Sequence, residues 1–158
     1  MISVKIDTKA IENMLNRIAE MVGDQKKDKI FYSLADVLAK SWWNETFQVE
    51  GARRGHDEWQ ALSEDYLAWK IKNGYSEKPL ILTGHLQASA EAIEDYDGLN
   101  SLFYGSKVPY AEFHQDPAIE GHPPKREMVF IGEGDEQEMV DFISMYFQKI
   151  IDDEEAKQ

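Results

Sequence analysis

The chain of 158 residues contains no cysteine. That excludes a disulfide scaffold, a thiol nucleophile and any thiolate metal site. Nor does any window approach the roughly 18 consecutive apolar residues of a membrane-spanning helix. The opening residues, Met1-Ile2-Ser3-Val4-Lys5-Ile6-Asp7, are not followed by the apolar run of a secretory signal, so a cytosolic, soluble protein without a membrane partner is expected. A phosphate-cradling loop is missing, because Gly132-Glu133-Gly134 is too short and lacks the lysine. There is no Gly-x-Ser-x-Gly nucleophile elbow, and none of the four histidines stands at the spacing of a zincin helix. Basic residues are scarce in one half. Residues 1–75 hold 12 acidic and 11 basic side chains, whereas residues 76–158 hold 18 and 6. Such a chain, of net charge −13, lacks the basic stripe that neutralises phosphates, so sequence-specific nucleic-acid binding is not expected.

What is present is an ordinary globular composition, 42% hydrophobic and 30% charged, of a size for one domain. Residues 2–7 alternate apolar and polar side chains as a strand does, and Asp7 or Thr8 can cap a helix carrying Ile11, Met14, Leu15, Ile18 and Val22. Gly23 stops it. A long central helix is predicted from about Lys26, with Ile30, Leu34, Leu38 and Trp42 in one row and Phe31, Ala35, Ala39, Trp43 and Phe47 in the next. Gly51 to Asp57, with Arg53 and Arg54, reads as an exposed, mobile loop. Ser63 can cap a short helix ending at Asn73-Gly74. Strands are then expected around Ala88–Ala92, at Leu102-Phe103-Tyr104 and at Met128-Val129-Phe130-Ile131, with a hairpin turn at Asp97-Gly98-Leu99-Asn100. A loop from Gln115 to Pro124 separates the last two. A final helix should begin near Asp135 and fray at Asp152-Asp153-Glu154-Glu155, where acidic charge meets the wrong end of the helix dipole. The resulting expectation is an α+β fold, a mainly antiparallel sheet packed with a long central helix and a C-terminal helix. It comprises one domain over 1–151 and an acidic tail over 152–158.

Chemistry is harder to find. His114 and His122, with Glu112, Asp116 and Glu120, are the nearest approach to a metal cluster, and a solvated proline-containing loop explains them as well. No carboxylate pair is placed in a cleft by any pattern, so no catalytic residue, metal or cofactor is expected and the chain is not read as an enzyme. Trp42 and Trp43 fall on the apolar rows of the central helix and belong to a core, while Trp59 stands where an interface anchor could.

Four segments in order carry a resemblance. Trp59-x-x-Leu62-Ser63 is followed by Lys70; Leu80-Ile81-Leu82-Thr83-Gly84-His85-Leu86 comes next. Tyr104-Gly105-Ser106 then leads to Tyr110-Ala111-Glu112-Phe113-His114-Gln115, and Pro124-Lys125-Arg126 precedes an apolar stretch to Gly132. Together they resemble the phage virion morphogenesis, or tail-completion, family typified by Mu-like and P2-like phages. Glu127 and Asp116-Pro117 depart from the usual pattern. The resemblance implies a structural protein of the head–tail junction, present in the host cytoplasm during assembly and then in the virion at the neck or top of the tail. It implies a homo-oligomeric ring, six copies favoured, with neck, connector, tail-tube or terminator proteins as partners and the genome passing through. Arg53, Arg54, Trp59, Tyr110, His114, Gln115 and Arg126 are the candidate interface residues. Arg126 can instead tie down the loop before it, the role preferred here. The other reading of so acidic a chain is a DNA-mimic or inhibitor protein occupying another protein's nucleic-acid site.

Overall fold

The two rows of apolar residues between Ile30 and Phe47 build the axis of the molecule. A computed structural model of the chain describes residues 2–7, 12–93, 101–115 and 123–157. Strand β1 (Ile2–Asp7) precedes helices α1 (Glu12–Val22), α2 (Asp24–Gln48) and α3 (Glu64–Lys72). After a 3-10 turn at Gln87–Ser89 come β2 (Glu91–Ile93), β3 (Ser101–Ser106), the single turn α4 (Glu112–Gln115) and α5 (Asp135–Glu155). Gly23 separates α1 from α2 at φ +83°, and a Cβ there would meet nothing within 4 Å. Backbone conformation, rather than space, is therefore what calls for glycine.

The expectation of a mainly antiparallel sheet is overturned: the protein is mostly helical. α2 alone has 25 residues, whereas the strands have six, three and six. What strand there is forms a small ribbon in the order β1-β3-β2, with Val4 opposite Tyr104 and Ala92 opposite the same residue from the other side. Two physical causes account for the difference. The run Ala88–Ala92 begins as a 3-10 turn and only its end pairs with β3. Met128–Ile131 makes no strand because a side chain supplies its partners: Gln115 Oε1 accepts from the Met128 and Val129 amides at 2.8 and 3.1 Å, and Gln115 Nε2 donates to the Val129 carbonyl at 2.6 Å. The expected hairpin at 97–100, most of the loop from 115 to 124 and the cap at Thr8 lie outside the described residues.

α2 serves two cores. It contributes Phe31, Ala35, Leu38 and Trp42 to a three-helix cluster with Leu15 and Ile18 of α1 and Met139, Ile143, Phe147 and Ile151 of α5. Its second half contributes Ala39, Trp43 and Phe47 to another, with Trp59, Leu86, Tyr104, Ala111, Met128 and Val129. Fully burying a side chain such as Phe47 contributes roughly 1.5–3 kcal/mol. α5 does not fray at its acidic end. It runs to Glu155, whose carboxylate pairs with Arg17 at 2.8 Å.

Candidate docking site

α3 wears its apolar residues outside. Glu64 and Asp65 open it and Lys70 and Lys72 close it, the arrangement its dipole favours, and the Asn73 amide donates to the Trp69 carbonyl. Yet Tyr66, Trp69 and Ile71 are 43%, 46% and 52% exposed, and the one fully buried residue of the helix is Lys70. Tyr66 and Trp69 stack at 5.6 Å between centroids, and Trp69 and Tyr75 at 5.5 Å, so three aromatic rings form an exposed ladder. Apolar surface concentrated in this way makes the outer side of α3 a candidate interaction face.

Tyr66, at one end of the ladder, borders a cavity of about 380 Å³. Leu62 and Tyr66 line it together with Lys70, the run Leu80–Leu86, Tyr110, His114 and Arg126. Lys70 Nζ holds the run in place by donating to the carbonyls of Lys78 at 2.6 Å and Ile81 at 2.8 Å. Arg126 donates to the carbonyls of Gln60 at 2.9 Å and Ala61 at 3.3 Å, and its backbone N–H to that of His114. Tyr110 is exposed and its hydroxyl lies 3.2 Å from His85 Nδ1. Each of the four sequence segments thus sends residues to one cavity. The phage virion morphogenesis family model matches residues 6–148 of this chain.

The chain belongs to the phage virion morphogenesis family. It is thereby a phage structural and assembly protein associated with the virion. No curated protein and no solved structure matches it at a significant level.

Around the cavity of this virion morphogenesis protein the charges are positive. Burial lowers the pKa of Lys70, and the Arg126 guanidinium lowers it further. His114 is shifted downward by the same two causes, and burial lowers Arg126 itself. Among the described residues no group of three histidines, aspartates or glutamates could hold a metal ion, and no helix is long and apolar enough to cross a membrane.

The remaining candidate residues do other work. Trp59 is buried, stacks edge-on against Phe47 and donates its indole N–H to the Glu127 carbonyl at 2.8 Å. It packs so closely on Gly51 that a Cβ there would lie 2.5 Å from its ring. The supposed mobile loop at Gly51–Asp57 is corrected, because Arg53 is buried and grips α5. Its two terminal nitrogens donate to the two Asp135 carboxylate oxygens at 2.6 Å each, while its guanidinium carbon lies 5.4 Å from the Trp42 ring and 5.0 Å from that of Phe130. Arg54 is partly exposed and pairs with Glu138 at 2.6 Å and Asp135 at 3.2 Å. Arg126 reaches back to Gln60 and Ala61, and residues 116–122 of the loop it was expected to tie down lie outside the described residues.

Tyr110, His114 and Arg126 are therefore brought together, Arg53 and Arg54 meet elsewhere, and Trp59 and Gln115 act as internal braces. Sequence reasoning missed Tyr66, Trp69, His85 and Asp135. The helix containing the first two was expected, but its outward-facing apolar side has no local signature.

Proposed function

We propose that this protein completes the tail or neck at the phage head–tail junction, working as a homo-oligomeric ring, six copies favoured, that docks neck, connector, tail-tube or terminator proteins. The exposed aromatic ladder Tyr66–Trp69–Tyr75, whose first ring borders the cavity, is the observation that supports a docking role. Rings large enough to complete a tube are built from contacts between unlike patches, and this chain carries unlike patches. The acidic balance of residues 76–158 suits a lumen traversed by the genome, since like charge keeps a duplex from adhering. The place of action is the host cytoplasm during assembly and then the neck or the top of the tail. Negative-stain imaging of particles made without the protein tests the reading. Filled heads lying apart from finished tails would indicate a joining role, and overlong tails a terminating one. Normal, infectious particles would refute both.

A further inference from the structure

The cavity under α3 holds two cations that have no counter-charge among the described residues. Lys70 is 1% exposed and Arg126 6%, both line the cavity, and the hydrogen bonds they donate go to uncharged backbone carbonyls. Among the described residues, ion pairs form at Arg53, Arg54 and elsewhere, but none at Lys70 or Arg126. Arg53 shows the contrast, being equally buried and matched by Asp135. Buried charge is normally paired, so a site with two unmatched cations invites an anion. Its wall is mostly apolar, through Leu62, Leu80, Leu82 and Leu86, which suits a carboxylate on a side chain better than a free inorganic ion.

A face of complementary chemistry stands on α5. Gln137, Glu138, Asp141, Phe142 and Met145 border a shallow depression there. Met145 is 60% exposed. Glu138 is already engaged by the Trp42 indole N–H at 2.8 Å and by Arg54 at 2.6 Å. Asp141 is exposed and accepts only a neutral amide, from Gln137 at 2.8 Å.

We infer that the α3 cavity of one copy receives the Asp141 carboxylate of the next copy, with that copy's Phe142 and Met145 packed on the Tyr66–Trp69–Tyr75 ladder. The occupant is a second copy because two unlike faces, one cationic and aromatic, the other acidic and apolar, occur on the same chain. Two cationic faces would repel each other across a two-fold axis, whereas a head-to-tail contact pairs the cationic face with the acidic one, the kind of contact from which rings are built. Methionine on aromatic rings adds favourable sulfur contacts. The inference rests on the ring-forming role proposed above and assigns the surfaces that would build it.

The absence of native cysteine gives a direct test. Trp69→Cys and Met145→Cys alter exposed side chains, and circular dichroism confirms that each variant is folded. Under mild oxidation, a mixture of the two single variants should give disulfide-linked dimers, each variant alone should give no cross-link, and the doubly substituted chain should give a ladder of cross-linked multimers. Adding Asp141→Lys should lower the mixed-dimer yield on the order of tenfold or more, the scale on which a desolvated charge pair acts. Dimers from either variant alone as abundant as those from the mixture would overturn the inference, and so would a mixture that never cross-links. If the unmodified chain forms rings by mass photometry while the mixture fails to cross-link, these surfaces are wrong and the ring stands. If phage lacking the protein join heads to tails normally, it is the functional reading that falls.

Discussion

Replacing Asp135 by asparagine changes one atom and should be among the most destructive substitutions this protein can receive. The carboxylate is wholly buried. Oδ1 accepts from Arg53 at 2.6 Å and lies 3.2 Å from Arg54 Nε; Oδ2 accepts from Arg53 and from the Gly132 amide, each at 2.6 Å. Whichever way the asparagine turns, its NH₂ faces donors where an acceptor stood, and the buried Arg53 guanidinium loses its counter-charge. Breaking a buried pair from one side costs about 3–5 kcal/mol. For a chain of this size that corresponds to a fall in Tm of about 6–20 °C, at roughly 2–4 °C per kcal/mol. Urea unfolding followed by tryptophan fluorescence measures it well, since Trp42 lies against the Arg53 guanidinium. A double-mutant cycle with Arg53→Met should return a coupling of about 1–3 kcal/mol. The control is Glu155→Gln, which breaks a pair whose side chains are 54% and 57% exposed and should cost under about 1 kcal/mol. An Asp135→Asn variant within about 1 kcal/mol of the parent would refute the argument that this pair fastens the loop to α5.

Gly51→Ala places a methyl 2.5 Å from the Trp59 ring at φ +92° and should cost about 1–3 kcal/mol in chemical denaturation; a neutral result would show that the Trp59 packing is loose. Gln115→Leu leaves two amides and a carbonyl of residues 128–129 without their partner, so a loss of roughly 2–4 kcal/mol is expected, together with faster hydrogen exchange of the Met128 and Val129 amides. His114 has its pKa lowered by burial and by Arg126, so the unfolded chain takes up its proton more readily than the folded one. The stability this side chain confers is intact above its ordinary value of 6.5 and is lost as pH falls from there through the lower folded value. Urea midpoints at pH 7 and pH 5 should differ less in His114→Asn than in the parent, and an NMR titration placing His114 at or above 6.5 would contradict this.

How far the fold could be read ahead depended on whether a segment finds its partners locally. α2 and α5 were legible because their apolar rows repeat at three and four residues without interruption, and α3 because Ser63 and Asn73-Gly74 bracket it. Met128–Ile131 has the composition of a strand, but its hydrogen-bond partners come from Gln115, a side chain thirteen residues away from the first of them. No periodicity reports that. The loop around Arg53 looked solvated for the same reason, since Asp135 lies 82 residues further along the chain. At the docking site, the segments converging on the cavity were recognisable as family motifs. The outward turn of Tyr66 and Trp69 was not, because a short helix with aromatics and charges on all sides does not declare which face packs.

Because α2 contributes buried residues at both ends, the molecule has a single spine about 37 Å long, at 1.5 Å per residue. Neither end can melt without exposing the flank of the same rod that supports the other.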